Sequence, residues 1–215
     1  YDLRSWMVIA HIRKANPPVV GRSYANTHPF EREAGGRAWV FAHNGMLPGI
    51  ERFRIGRYTP MGDSDSEHAF CVLMEVIHNC IDQAGRLVDI DQSLNCLEPA
   101  ISEINPLDEF NFLLGNGESL FVHAHSELHL LKRNCIVDGC DQQVILIATK
   151  PLSEEPWQCL VPNTLLVLEQ GEIIRELRTR GRAAPQAWER RRAQARLEAE
   201  YQSARNASVS GSPNP

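Results

Sequence analysis

From Phe110 onward the chain is written as short apolar runs with turn signals between them, and this alternation constrains the fold more than any other feature. Phe110–Leu114 and Leu120–Ala124 flank Gly115-Asn116-Gly117, and Leu128–Lys132 follows Ser126-Glu127. Thr164–Leu168 and Glu172–Leu177 flank Glu169-Gln170-Gly171. Tight glycine-containing turns join neighbouring strands antiparallel. The pattern therefore predicts a meander over 110–132, a further strand at Val144–Thr149 and a closing hairpin.

The first half of the chain reads differently. Trp6–Ile12 is an apolar, β-branched run that predicts a buried strand, ended by Asn16-Pro17-Pro18. A loop through Asn26-Thr27-His28-Pro29-Phe30 leads to a second buried strand over Arg37–Ala42, which the turn signal His43-Asn44-Gly45 closes. Over 64–83, Ala69, Phe70, Leu73, Val76, Ile77, Cys80 and Ile81 recur at helical spacing. Ser64 and Glu67 have capping-box spacing and Gly85 is the expected stop. Leu94, Leu97, Ile101 and Ile104 predict a second helix within 92–104, with Pro99 blurring its boundary. Strands, then helices, then hairpin-joined strands make an α+β fold with helices packed on antiparallel sheet.

Composition narrows the function classes. The 215 residues are 43% hydrophobic and 23% charged, which is globular, and no apolar run is long enough to span a bilayer. The formal charge of −5 is unevenly spread. Residues 1–174 carry −10 and residues 175–215 carry +5. An acidic body argues against a nucleic-acid partner, because neutralising phosphates needs a basic face. After Gly181 the Arg-rich stretch Ala187–Tyr201 predicts a solvated helix, and 203–215 predicts a disordered end. This tail could dock a partner. Cys71, Cys80, Cys96, Cys135, Cys140 and Cys159 include no CxxC pair, and the expectation is free, mostly buried thiols in a reducing cytoplasm. Cys135 and Cys140 could alternatively pair across a loop. His123, His125 and His129 invite a metal reading, but no accompanying carboxylate or cysteine pattern supports it, so neither metal nor cofactor is expected.

Polar clusters sit at strand ends and at a helix start, where folds present functional groups. They are His11-Ile12-Arg13-Lys14-Ala15, His43-Asn44-Gly45 and Gly62-Asp63-Ser64-Asp65-Ser66-Glu67. In order, His11-x-Arg13-x-Ala15, Asn26-Thr27-His28-Pro29-Phe30, Gly36-Arg37-Ala38-Trp39, Ala42-His43-Asn44-Gly45 and Asp65-Ser66-Glu67, with the later Ala148-Thr149-Lys150-Pro151-Leu152 and Trp157, resemble the glutaminase domain of class II (N-terminal nucleophile) glutamine amidotransferases, in the YafJ-type stand-alone branch. The resemblance runs from about Trp6 to about Leu177.

The resemblance implies a four-layer αββα sandwich of two antiparallel sheets and hydrolysis of the γ-amide of glutamine or a related γ-glutamyl amide. It implies that Arg13 holds the substrate α-carboxylate, Asp65 the α-ammonium, and Asn44 and Gly45 the oxyanion, with His28 in support near the substrate. The physical reading agrees. A guanidinium fork suits a carboxylate, and amide cleavage needs preorganised N–H donors for the developing oxyanion. In the resembling family the nucleophile is a Cys at the mature N-terminus, whose own α-amine is the base. This sequence begins at Tyr1, so the expectation is a domain over 1–180, truncated at its N-terminus and lacking the nucleophile-bearing first strand segment, followed by the tail over 181–215. As it stands it is expected to be inactive. The alternative is a non-catalytic module that binds glutamine or γ-glutamyl compounds. Expected partners are that small-molecule substrate and a separate ammonia-accepting subunit, in the cytoplasm, with no membrane.

Overall fold

A computed structural model describes residues 5–12, 23–81, 89–137 and 139–181. Contacts divide the chain into Tyr1–Ala183 and Ala184–Pro215, and every described residue lies in the first unit. The expected tail helix and the Gly85 stop fall outside the described residues, as does Arg13.

In chain order the elements are β1 (Phe30–Ala34), β2 (Arg37–Gly45), α1 (Asp65–Asn79), α2 (Ile90–Ile104), β3 (Phe110–Gly115), β4 (Leu120–Ala124), β5 (His129–Val137), β6 (Cys140–Ala148), β7 (Gln158–Cys159), β8 (Thr164–Glu169) and β9 (Glu172–Arg178). Six strands form one antiparallel sheet in the order β1-β2-β3-β4-β8-β9, and three form a second in the order β6-β5-β7.

Alternation along the strands builds two cores from one sheet. Phe110, Phe112 and Leu114 of β3, Phe121 of β4, and Leu165 and Val167 of β8 pack with α1 and α2 residues such as Phe70, Leu73, Leu97 and Ile101. The intervening Val122, Ala124, Leu166 and Leu168 pack with Leu128 and Leu130, and against Ile145 and Ile147 of β6. The six-stranded sheet therefore lies between the helices and the second sheet. This is an α+β sandwich of antiparallel sheets, as expected, with helices on one outer face among the described residues.

Several local expectations change. Trp6–Ile12 forms no strand and joins no ladder among the described residues. Only its odd positions are half-buried, with Met7 and Ile9 lying over Gly115. Trp6 is 92% and Ile12 98% exposed, so the run is not a buried strand. The meander ends after β4, because the third run, extended to β5, leaves for the second sheet. Asn111 makes that corner: its Oδ1 accepts the N–H groups of His125 and Ser126, both at 2.9 Å. Asn44-Gly45 is the last stretch of β2, paired with Asn111 and Phe110, and not a hairpin turn.

Pro99 sits inside α2, where it removes one donor, and the carbonyl it leaves belongs to exposed Asn95. Asp89 caps α2 by accepting from Gln92 N–H at 2.9 Å. Cys80 and Cys96 join the end of α1 to α2 as a disulfide, against the expectation of free thiols. Helical spacing reports which face a cysteine occupies, not what lies opposite. Cys135 and Cys140 do not pair, since the β5–β6 register sets Cys135 opposite Gln142 and Cys140 opposite Val137.

Candidate active site

The site elements meet at the C-terminal end of β2 and the N-terminal end of α1. Ser64 occupies the N-cap position of α1, but its side chain makes no capping hydrogen bond. The expected capping box does not form, because Glu67 is used elsewhere. Its Oε1 accepts Met61 N–H at 2.9 Å, its Oε2 accepts Gly62 N–H at 2.8 Å, and Arg32 of β1 pairs with Oε1. Asn26 holds the same loop from the other side, its Oδ1 accepting Asp63 N–H at 2.9 Å. A Cβ at Gly62 would fall 2.2 Å from that oxygen, so glycine permits the approach. The Asn26–Phe30 loop and the Asp65-Ser66-Glu67 element, separate in sequence, thus brace one another.

Glu67 is 1% exposed and Arg32 17%, so this ion pair is largely withdrawn from water. Removing one partner leaves an uncompensated charge in a low-dielectric site. Glu67→Gln is expected to lower unfolding free energy by about 3 kcal/mol. Glu118→Gln, which breaks the Arg37–Glu118 pair at 38% and 68% exposure, is expected to cost less than about 1 kcal/mol. Urea melts of both variants check this ranking, and equal costs would contradict it.

Asp65 is half-buried at the first turn of α1, where the helix N-terminus favours its charge. Its Oδ2 accepts Leu47 N–H at 2.7 Å and its Oδ1 accepts Ser66 N–H at 2.7 Å. The carboxylate therefore ties the start of α1 to the segment just after Asn44-Gly45. Each oxygen keeps a second lone pair, so the group can still accept from a ligand. Asn44 is exposed at the end of β2. Gly45 is packed so closely that a Cβ there would fall 1.8 Å from the Glu109 carbonyl oxygen.

His28 stacks on His11, with ring centroids 4.2 Å apart, and lies 4.5 Å from Phe30. The peptide bond between His28 and Pro29 is cis. The stack brings the His11 element against the Asn26–Phe30 loop.

Sequence reasoning missed a buried cluster beneath Asn44. Asn111 pairs with Asn44 across β2 and β3, so both lie on the same face of the sheet. Asn111 Nδ2 donates to Ser126 Oγ at 2.7 Å and to Glu109 Oε1 at 3.1 Å, and the Ser126 hydroxyl also donates to Glu109 Oε1. Polar residues flanking the apolar run at Phe110 were the available signal, but they read equally well as loop. Among the three histidines of the metal reading, His123 is buried on β4, its Nδ1–H donating to Phe110 O at 2.7 Å and its Nε2 accepting from Thr179 Oγ1 at 3.0 Å. His125 accepts Phe110 N–H at its Nδ1, at 3.1 Å. These ring nitrogens are spent on backbone and hydroxyl partners. No group of three metal-ligating side chains occurs among the described residues.

None of the cysteines belongs to the motif elements. Cys71 is buried within α1, and burial pushes its thiol up to about 11, against a smaller opposing effect of Arg32. Cys135, Cys140 and Cys159 are on β5, β6 and β7 of the second sheet. A cavity of about 260 Å³ lined by Lys132, Arg133, Gln143 and Glu172 contains none of the motif residues. No described helix is long and apolar enough to cross a membrane.

Comparison with known proteins gives the geometry a family. The family model described as glutamine amidotransferases class-II matches residues 1–136. YafJ of Escherichia coli K12, which carries a provisional glutamine amidotransferase name, is 32% identical over 193 residues, covering 81% of this chain and 74% of its own. An uncharacterized protein of Methanocaldococcus jannaschii is 34% identical over 80% of this chain and 52% of its own length, so the chain spans about half of that relative. The crystal structure of a predicted glutamine amidotransferase from Pseudomonas aeruginosa PA01 superposes with a TM-score of 0.66 at 32% identity, covering 77% of this chain and 70% of that one. The match over most of the chain, in sequence and in structure, places this protein in the class II glutamine amidotransferases.

Proposed function

We propose that these residues form the glutamine site of a γ-glutamyl amide hydrolase, with Asp65 binding the substrate α-ammonium, Arg13 its α-carboxylate, and the Asn44 side-chain N–H and Gly45 backbone N–H stabilising the oxyanion. His28 supports the substrate from the adjoining loop. The observation that carries this reading is the Leu47–Asp65 hydrogen bond, which joins the ammonium-binding carboxylate to the strand end that bears both oxyanion donors.

The chemistry follows from that arrangement. A thiolate adds to the γ-carbonyl carbon, and the carbonyl electron pair moves to oxygen, where Asn44 and Gly45 receive it. Collapse expels ammonia, which takes the thiol's proton by way of the amine base, and leaves a glutamyl thioester. Water then cleaves the C–S bond and releases glutamate. The thiol this chemistry needs is that of a cysteine at a mature N-terminus, whose own α-amine serves as the base. The ammonia goes to a separate acceptor subunit, or the amide bond itself is the physiological target.

A second reading is a module that binds γ-glutamyl compounds without cleaving them. Glutamate release from glutamine by the natural full-length protein separates the two. Under the hydrolase reading, Asn44→Ala lowers kcat about 10²–10³-fold with KM little changed, because an oxyanion donor acts mainly in the transition state. Binding of glutamine with no release of glutamate would overturn the hydrolase reading in favour of the module.

A further inference from the structure

We propose that His43 is the positioning residue that couples the oxyanion-stabilising strand end to the ammonium-binding helix start. The inference rests on the site assignment above and extends it to a residue that contacts neither end of the substrate.

His43 is buried on β2, opposite Phe112, facing α1. Its Nε2 lies 3.1 Å from the Glu109 carbonyl oxygen. A carbonyl only accepts, so Nε2 carries the hydrogen. Its Nδ1 lies 2.8 Å from Ser66 Oγ. In the neutral ring Nδ1 is an acceptor, and the Ser66 hydroxyl donates to it. That hydroxyl also sits 3.3 Å from Asp65 Oδ1, a longer alternative for its one hydrogen.

The Glu109 carbonyl that His43 holds is the group against which Gly45 is packed. A Cβ at Gly45 would fall 1.8 Å from that oxygen and 2.7 Å from His43 Nε2. The contacts close into a circuit. Asp65 is bonded to Ser66 N–H, Ser66 to His43, His43 to the Glu109 carbonyl beside Gly45, and Leu47, two residues on from Gly45, returns to Asp65. Substrate drawn to Asp65 at one end must present its γ-carbonyl at Asn44 and Gly45 at the other. The circuit fixes the separation of those two anchors, and small errors of placement are costly to an attack geometry. The ring also packs edge-on to Phe110, 5.5 Å between centroids, so packing and polar roles need separate tests.

Histidine ring 1H–15N correlations on the ligand-free chain are expected to show His43 protonated at Nε2 and bare at Nδ1. The opposite tautomer would overturn the proposal. His43→Phe keeps an aromatic ring without donors, whereas the side-chain N–H of His43→Gln can still reach the Glu109 carbonyl. Hydrogen exchange at the Gly45 amide is expected to accelerate about tenfold or more in His43→Phe and to stay within about threefold of wild type in His43→Gln. Equal exchange in all three proteins would overturn it. L-Glutamine titration of Ser66→Ala gives an independent readout should His43→Phe fail to fold. The Leu47 amide is expected to respond as in wild type, while the Gly45 response falls by more than half. An undiminished Gly45 response would overturn the coupling. If wild type itself does not bind glutamine, the proposed function fails, while the tautomer and the exchange rates still test His43.

Discussion

Gly45→Ala is expected to destabilise the fold and, under the hydrolase reading, to cut the turnover of the natural full-length protein steeply, the largest effect of any single-methyl change at the site. The added Cβ would fall 1.8 Å from the Glu109 carbonyl oxygen and 2.7 Å from the carbonyl carbon. Both are backbone atoms, and no rotamer change relieves the collision. The end of β2 must then lift away from β3, where Gly45 pairs with Phe110. Overpacking of this kind costs about 1–3 kcal/mol, and more when backbone must move. Under the hydrolase reading, displacing the proposed oxyanion donors adds a loss of about 10²–10³ in kcat. Gly36→Ala is the contrast. Gly36 has φ +70°, and a methyl group there would meet nothing within 4 Å, so only the left-handed backbone penalty of about 1–2 kcal/mol applies. Urea melts and glutamate release on the two variants check the ranking, and a Gly45→Ala protein with wild-type turnover would contradict the close packing.

Acid is expected to destabilise this protein through His123. Burial in the core, with smaller contributions from the nearby His125 and His43, pushes its imidazole down to about 3, although the hydrogen bond to Phe110 O opposes the shift. In the unfolded chain an ordinary histidine titrates near 6.5. Between those two values the unfolded chain binds a proton that the native state refuses, so stability rises with pH across the window. The contribution is fully present above about pH 6.5 and is lost as pH falls toward 3. Between pH 7 and pH 4 this amounts to roughly 3 kcal/mol. His123→Asn retains a donor for Phe110 O but does not titrate, so its unfolding free energy should fall by that much less over the same range. Parallel pH profiles for the two proteins would contradict a buried neutral His123.

How far the sequence reveals the fold depends on whether burial and apolarity coincide. Helix α1 is legible because its buried apolar residues, among them Ala69, Phe70, Leu73 and Ile77, recur at helical spacing, whereas the buried Ser66 and Glu67 at its start carry no such signal. The strands from Phe110 onward are legible for the same reason, with glycine turns marking their ends. Phe30–Ala34 carries no strand signature, since between Phe30 and Ala34 it holds Glu31, Arg32 and Glu33. Arg32 is accommodated there because Glu67 of α1 and the Thr59 carbonyl meet it, and such long-range partners leave no local signature. Trp6–Ile12 misleads in the opposite direction, with its apolar Trp6, Val8 and Ile12 left exposed. Spacing and resemblance single out Asn44, Gly45 and Asp65 as candidates, and the link between them through Leu47 N–H and His43 appears only in three dimensions. The Glu109, Asn111 and Ser126 cluster is invisible for a related reason. Its members are neighbours across a strand corner, and polar residues near a turn read as solvent-facing.

Asp65 and the end of β2 are proposed to form one site for an α-amino acid carrying a γ-amide. Calorimetric titration of the chain with L-glutamine tests it most directly, with 4-carbamoylbutanoate, which lacks the α-amine, and with Asp65→Asn as comparisons. Measurable heat is expected for L-glutamine, with affinity at least about tenfold weaker both for the deaminated ligand and for the variant, since a charge-assisted hydrogen bond contributes about 1.5–3 kcal/mol. Equal affinity of wild type and Asp65→Asn for L-glutamine would contradict it.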